Sequence, residues 1–192
     1  MSNYTKAGVL LFIGAFQFSI FLLIAEALRP SYSVHSNYIS DLGVGAYSYV
    51  FNYSIVLLGI LVIISAIFLL IERKRTVLPY MIILIGIGAA GVGLFPESTG
   101  SPHVLFSEIT FIFSGISAIM ASYSYIKGPF RIISPIIGII IFSSIILYVE
   151  GNYYGIGVGG MERMIVYPTL LWALAFSGYL MYSPQDKGNG KQ

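Results

Sequence analysis

The sequence predicts an all-α, polytopic membrane protein, a single bundle of six transmembrane helices. The first observation is composition: 57% of residues are hydrophobic and only 9% are charged, with a mean hydropathy of +0.86. A soluble domain of this length would have too little polar surface to face water. The second is a series of six apolar segments, and the third is the asymmetric distribution of charges between them.

The six segments are each long enough, at roughly 1.5 Å per residue, to cross or nearly cross a hydrocarbon layer of about 30 Å. They lie at about residues 8–28, 49–71, 78–95, 104–126, 132–149 and 161–182. Ala25-Glu26-Ala27 fits a signal-peptide cleavage pattern. However, the first apolar segment is longer than usual for a signal peptide, and only Lys6 precedes it. We therefore predict that it is retained, and that residues 1–192 form one transmembrane domain.

The basic residues predict the orientation of the bundle. An even number of helices puts both termini on one side, and Lys and Arg concentrate on the cytoplasmic side of membrane proteins. On the side of the termini lie Lys6, Arg73, Lys74, Arg75, Lys127, Arg131, Lys187 and Lys191, against Arg29 and Arg163 on the other. The sequence therefore predicts a multi-pass protein of the cell membrane with both termini cytoplasmic.

The acidic residues have the opposite distribution. Glu26, Asp41, Glu97, Glu108, Glu150 and Glu162 fall on the side away from the termini, which we call the acidic end, against Glu72 and Asp186 on the other. Acids contribute little to insertion topology, so this bias favours a functional explanation.

Small residues and prolines predict how the helices pack and begin. The third helix has small residues four apart, such as Gly86/Ala90, which permit close approach, so we place it at the centre of the bundle. Ser101-Pro102 and Ser134-Pro135 are typical of an N-cap followed by the first helical residue, and predict the starts of helices four and five. Tyrosines near the helix ends, among them Tyr32, Tyr38 and Tyr148, are interpreted as interfacial anchors.

Composition also restricts the chemistry. The chain has no cysteine, which excludes disulfides, thiolate metal sites and cysteine nucleophiles. A net charge of +2 is too small to indicate nucleic-acid binding. No cofactor is predicted.

The fourth helix and the segment before it hold Glu97, His103 and Glu108 within an otherwise apolar chain. A stripe follows from His103 in steps of four and three: Ser107, Thr110, Ser114, Ser117, Ala121 and Ser124. Such a stripe is typical of close helix packing, or of a hydrated path or head-group slot. Glu108 lies about 140° from His103 around the helix, so the two need not share a ligand. Its expected partner is Arg163 or Arg29, the cations on that side.

The first loop on this side carries His35, Ser40 and Asp41, and the spacing of Ile39, Leu42 and Gly43 predicts a short interfacial helix. Two interpretations stay open. The loop is a lid satisfied by its own side chains, or His35 and Asp41 meet His103 and Glu97 over the mouth of the bundle.

Two histidines with carboxylates could hold zinc or iron, but no segment has metal-ligand spacing, so no metal site is predicted. A Ser40–His103–Asp41 hydrolase has the right residue types without a supporting spacing. The candidates for a catalytic group are His103, Asp41 and Glu108.

Glu162 and Arg163 open the last predicted helix. A carboxylate in the first helical turn is stabilised by the helix dipole, so Glu162 has a structural explanation as well as a functional one. Arg163 is expected to pair with an acid or to contact a lipid phosphate.

Three motifs together resemble one family: Ser40-Asp41-Leu42-Gly43, Gly93-Leu94-Phe95-Pro96 leading to His103, and Glu162-Arg163. The chain resembles, over nearly its whole length, the archaeal and bacterial membrane family catalogued as domain of unknown function 998. The resemblance implies a six-helix integral membrane protein, with these residues as the family's polar signature. It implies no activity.

The sequence therefore predicts an outward-facing polar pocket that binds, or binds and modifies, a lipid head group or small polar ligand. Membrane lipids are the expected partners. The predicted ligand-binding residues are His35, Ser40, Asp41, Glu97, His103, Glu108, Glu162 and Arg163. The alternative is a non-catalytic accessory or assembly subunit of a larger membrane complex, with other membrane subunits as partners. A transporter is a weaker third interpretation, because no internal repeat is seen.

Overall fold

The computed structural model describes residues 1–72 and 76–182, and the regular structure in these residues is entirely helical. The α-helices are α1 (Asn3–Leu28), α2 (Ser48–Glu72), α3 (Leu78–Leu94), α4 (Ser101–Ser124), α5 (Phe130–Val149) and α6 (Gly157–Tyr182). Two short 3₁₀ helices, the Ser40–Gly43 turn and the Glu97–Thr99 turn, follow α1 and α3. The first of these lies where the sequence predicts a short helix.

Five of the α-helices are long and apolar enough to cross a membrane, and α3 is a shorter apolar helix of 17 residues. The chain is therefore all-helical, as predicted, and its apolar helices suggest a multi-pass membrane protein. Two helices begin earlier than expected. In α1, the Ser2 hydroxyl accepts a hydrogen bond from Thr5 N at 3.1 Å and caps the helix. In α6, the helix begins at Gly157 rather than at residue 161.

The helices form a ring in chain order. Each packs against the next along the chain, and α6 packs against α1 to close the ring. α3 is thus one wall of the ring, between α2 and α4, and not the central helix that the sequence predicts. The reason is that the small residues of α3 permit close contact with both α2 and α4. A Cβ on Gly59 of α2 would lie 2.5 Å from Gly86 O, and one on Gly88 would lie 2.8 Å from Phe106 O of α4.

The predicted starts of α4 and α5 differ from the structure. Gly100 is the N-cap of α4, which moves Ser101 and Pro102 one position into the helix. α5 begins at Phe130 and contains Pro135. Buried Ser134 is held inside α5 by tertiary hydrogen bonds. Its hydroxyl donates to Ala118 O at 2.5 Å and accepts from Trp172 Nε1 at 2.7 Å.

The two ends of the ring differ. At the end that holds the start of α1 and the end of α6, aromatic rings pack across the interior. Tyr4 and Tyr125 have ring centroids 6.4 Å apart, Tyr125 and Phe176 6.2 Å, and Trp172 and Phe176 5.0 Å. We call these rings the aromatic plug. At the acidic end, the loop after α1 folds over the ring and buries Ile39 and Leu42.

Candidate functional site

Arg163 joins the last helix to the first. Its side chain is buried, and Nη2 donates to Glu26 Oε1 at 2.5 Å and to the Tyr32 hydroxyl at 2.6 Å. Nη1 donates to Gly159 O at 2.8 Å. A buried guanidinium needs such a set of acceptors, because an unpaired buried charge is costly. The charge of Arg163 is therefore already neutralised within the protein.

The expected pairing of Glu108 with Arg163 or Arg29 is wrong, because both cations have other partners. Arg163 pairs with Glu26, and Arg29 Nη1 donates to the backbone carbonyl of Val44 in the first loop. Both cations are used to hold the first loop and the first helix in place. Glu108 is exposed on α4.

Tyr32 belongs to this network and is more than an interfacial anchor. Its hydroxyl donates to Tyr38 O at 2.8 Å and accepts from Arg163. Burial raises the pKa of Tyr32 to about 12, although the hydrogen bond from Arg163 acts in the opposite direction. The phenol therefore stays protonated and ties the two halves of the first loop together.

Glu162 lies next to Arg163 in the chain but serves a different part of the structure. Because α6 begins at Gly157, Glu162 is past the first turn, so it does not cap the helix. Its side chain is 6% exposed, and Oε2 accepts a hydrogen bond from Ile39 N at 2.5 Å. Within residues 1–72 and 76–182, no group donates a hydrogen bond to Oε1. One oxygen is thus fixed by the first loop and the other is without a donor.

The Ser40–Gly43 and Glu97–Thr99 turns bring Ser40, Asp41 and Glu97 together. Asp41 Oδ2 accepts from Tyr38 N at 2.9 Å and from Asn37 Nδ2 at 3.0 Å. Partial burial raises the pKa of Glu97 to about 7; the hydrogen-bonded Asp41 carboxylate adds to the shift, and the hydrogen bond with Ser40 reduces it. The protonated and ionised forms of Glu97 are therefore both present near neutral pH.

His103 is buried, with 6% of its surface exposed, and its Nδ1 lies 2.8 Å from Phe95 O. A carbonyl oxygen can only accept, so Nδ1 carries the proton in this hydrogen bond. In the neutral ring, Nε2 then has a lone pair. No donor to Nε2 exists in the described part of the chain. His103, like Glu162, has one polar atom fixed by the backbone and a second atom without a partner.

The structure places His35 away from His103. His35 is exposed, its Nδ1 lies 3.3 Å from Ser36 Oγ, and its carbonyl accepts from Gly159 N at the start of α6. The described residues contain no group of three His, Asp or Glu side chains that could hold a metal ion. Part of the first loop is held by hydrogen bonds between its own side chains, and Ser40 and Asp41 lie beside Glu97. Each of the two interpretations is therefore correct for part of the loop, but His35 does not meet His103.

A cleft opens at the acidic end between α4, α5 and α6, with a volume of about 540 Å³. For comparison, a cavity needs roughly 10–15 Å³ to hold one water molecule. The cleft has an acidic and hydroxyl-bearing lining and, among the described residues, no Lys or Arg. Its polar side chains are Tyr38, Ser40, Glu97, His103, Ser107, Glu108, Tyr148 and Glu162. Thus five of the eight predicted ligand-binding residues line the cleft, and Asp41, His35 and Arg163 do not.

A second cavity of about 90 Å³ lies inside the ring and is largely apolar. Ser40, Ser107, Phe111 and Glu162 line both spaces, so the cleft and this interior cavity adjoin. Glu162 stands at their junction. The hydroxyl stripe of α4 forms part of the wall, and its members bond mainly to their own helix: Ser114 Oγ donates to Thr110 O at 2.7 Å.

Sequence reasoning missed Glu26, Tyr32 and Tyr148 as parts of this region. A carboxylate in the last turn of an apolar helix calls for a buried cation as partner, and Arg163 was one of two candidates. That signal could have identified the pair. The contributions of Tyr32 and Tyr148 depend on how the loops fold over the ring, for which the sequence carries no local pattern.

Comparison with known proteins yields one match. The family model described as "Protein of unknown function (DUF998)" matches residues 12–179, from within α1 to within α6. Neither the curated proteins nor the solved structures yield a match.

Proposed function

The chain belongs to the DUF998 family, whose description assigns no activity, and we propose a function from its geometry. The protein is a multi-pass protein of the cell membrane that binds a lipid head group or small polar ligand in the cleft at the acidic end. The distribution of Lys and Arg supports cytoplasmic termini and an outward-facing cleft.

One observation carries the proposal. Glu162 and His103 are each more than nine-tenths buried, both line the cleft, and each presents a polar atom without a described partner. Neither Glu162 Oε1 nor His103 Nε2 is among the fully enclosed side-chain atoms that lack a hydrogen bond, so both atoms are open to the cleft. A ligand in the cleft could therefore donate a hydrogen bond to each of them, which supports binding at this site.

Binding is favoured over hydrolysis by the same contacts. Asp41 accepts from Asn37 and Tyr38 rather than orienting His103, whose Nδ1 is taken by Phe95 O. Ser40 lies beside Glu97, and its hydroxyl has no described hydrogen bond to His103. The described residues therefore form no Ser–His–Asp relay of the kind that activates a serine nucleophile.

The test is the lipid and small-molecule content of the purified protein. Wild type, Glu162→Gln and Glu150→Gln are purified in the same mild detergent, and bound species are identified by mass spectrometry. Glu150 is an exposed carboxylate at the same end of the bundle, which makes it the matched control. We expect a species that co-purifies with wild type and Glu150→Gln and is lost from Glu162→Gln.

Identical content in all three proteins would contradict the proposal. A stoichiometric membrane protein that co-purifies with all three, with no bound small molecule, would instead support the accessory-subunit alternative.

A further inference from the structure

We propose that the ligand is a single-chain amphiphile with an amine head group, bound with its head group in the cleft and the end of its alkyl chain in the interior cavity. This deepens the function proposed above and rests on it. The argument has three parts: the junction of the two spaces, the hydrogen-bonding character of the cleft, and the shape of the interior.

The junction determines that one ligand can occupy both spaces. Glu162, Ser40, Ser107 and Phe111 line the cleft and the interior cavity alike. The cleft has a group of polar side chains within an otherwise apolar lining, and the cavity beneath it is apolar, lined by side chains such as Leu11, Val62 and Ile82. A molecule that fills both must therefore be polar at one end and apolar at the other.

The hydrogen-bonding groups and charges of the cleft favour an amine head group. Glu162 Oε1 and His103 Nε2 are acceptors without described donors, Glu108 adds a carboxylate, and Glu97 is partly ionised near neutral pH. The lining includes no Lys or Arg within the described residues, so its donors include hydroxyls such as that of Tyr148. A phosphate or carboxylate head would therefore bring negative charge next to carboxylates with no cation to balance it. An ammonium group offers three donors and a positive charge, and charge-assisted hydrogen bonds are the stronger kind.

The shape of the interior cavity favours a ligand with one alkyl chain. Along α2 the cavity wall runs from Phe51 to Val62, which is about 16 Å at roughly 1.5 Å per residue. The ring of packed helices surrounds this space, and its volume of about 90 Å³ is much smaller than that of the cleft. A cavity of about 150 Å³ holds one benzene molecule, so this smaller space admits the end of one alkyl chain and not the two chains of a typical phospholipid. The rest of the chain would lie along the apolar part of the cleft, beside residues such as Ile112 and Ile145.

The fluorescence of Trp172 can be used to measure whether the alkyl chain enters the interior cavity. It is the only tryptophan of the chain and it lines the interior cavity. Dodecylamine brominated near its methyl end should therefore quench Trp172 fluorescence when the chain enters the ring. The wild-type protein in lipid nanodiscs is titrated with this amine and with the carboxylate and phosphate of the same brominated chain. We expect saturable quenching by the amine, with at least about tenfold weaker binding of the two anions, since one charge-assisted hydrogen bond is worth that much.

Two pairs of variants locate the head and the chain. Glu162→Gln should weaken the amine by about tenfold or more, whereas Glu150→Gln should not. Ala173→Phe fills the interior cavity and should abolish quenching. Ala175→Phe adds the same ring to an exposed position of the same helix and should have no effect. Should Ala173→Phe not fold, Ala173→Val serves as a milder filling variant, and the three wild-type titrations stand without either.

The experiments distinguish a failure of this inference from a failure of the proposed function. Native mass spectrometry measures retention of unbrominated dodecylamine independently of quenching. Retention that depends on Glu162 without quenching of Trp172 would overturn the placement of the chain and leave the proposed function standing. Equal quenching by amine and anions would overturn the head-group assignment. Should no probe bind and Glu162→Gln also keep the same co-purified species as wild type, both the inference and the proposed function fail.

Discussion

Arg163 Nη2 and Glu26 Oε1 lie 2.5 Å apart and join α6 to α1, the last and first helices of the ring. The side chains are 5% and 13% exposed. Tyr32 bonds to the same Nη2 and extends the link into the first loop. At the acidic end, one buried ion pair therefore joins the two helices that close the ring, between residues that are far apart in the chain.

Removing one partner of this pair should destabilise the protein strongly. We expect Arg163→Leu to lower the free energy of unfolding by about 3–5 kcal/mol, because Glu26 is then left buried without a cation. The double variant Glu26→Leu/Arg163→Leu should lose less than the sum of the two single variants. Thermal unfolding in detergent measures the effect.

Arg131→Leu is the control for this ion pair, since Arg131 is exposed in the first turn of α5, and its stability should match wild type within about 0.5 kcal/mol. Equal stabilities of Arg163→Leu and Arg131→Leu would mean that the ion pair does not close the ring.

Glu97 should make stability depend on pH. The pKa of its carboxyl is raised from its ordinary value of 4.5 to about 7 in the folded protein, so the folded state binds the proton more tightly than the unfolded state. Stability contributed by this group is present below about pH 4.5 and is lost as pH rises toward about 7. We expect the thermal midpoint of wild type to fall over this range relative to that of Glu97→Gln, whose amide cannot ionise.

Other carboxyls also titrate in this range, so the difference between wild type and Glu97→Gln is the quantity to measure. Glu150→Gln is the matched control and should keep the pH dependence of wild type. A Glu97→Gln curve parallel to that of wild type from about pH 4.5 to about pH 8 would contradict the raised pKa of Glu97.

The orientation in the membrane can be measured with single cysteines, because the chain has none of its own. Asn152 lies in the loop between α5 and α6, and Lys127 in the loop between α4 and α5; both are exposed. We expect a membrane-impermeant maleimide to label Asn152→Cys in intact cells. Lys127→Cys should be labelled only after permeabilisation, since basic loops stay on the cytoplasmic side. The reverse pattern would put the cleft inside the cell.

Much of the fold follows from hydrophobic length and spacing alone, and those signals are local. The prediction of helices was right because each apolar segment has to satisfy its backbone within itself. The order of packing was not predicted. Glycines such as Gly59 and Gly88 indicate close approach without saying to which neighbour. The early start of α6 depends on a hydrogen bond from Gly159 to His35 O in the first loop, a contact between distant parts of the chain.

The sequence indicates which polar residues share the acidic end, but not which of them contact one another. Ser40, Glu97, His103, Glu108 and Glu162 line one cleft, and a charge bias along the chain was enough to point there. The position of His35 depends on the path of a loop. The pairing of Arg163 with Glu26 depends on ring closure, which no spacing in the sequence encodes.

The aromatic plug bears on how a ligand of the proposed kind would enter and leave the protein. Tyr4, Tyr125, Trp172 and Phe176 pack across the interior at the end opposite the cleft. Entry and release at the cleft would leave these rings in place. Passage from one side of the bundle to the other would require them to separate first.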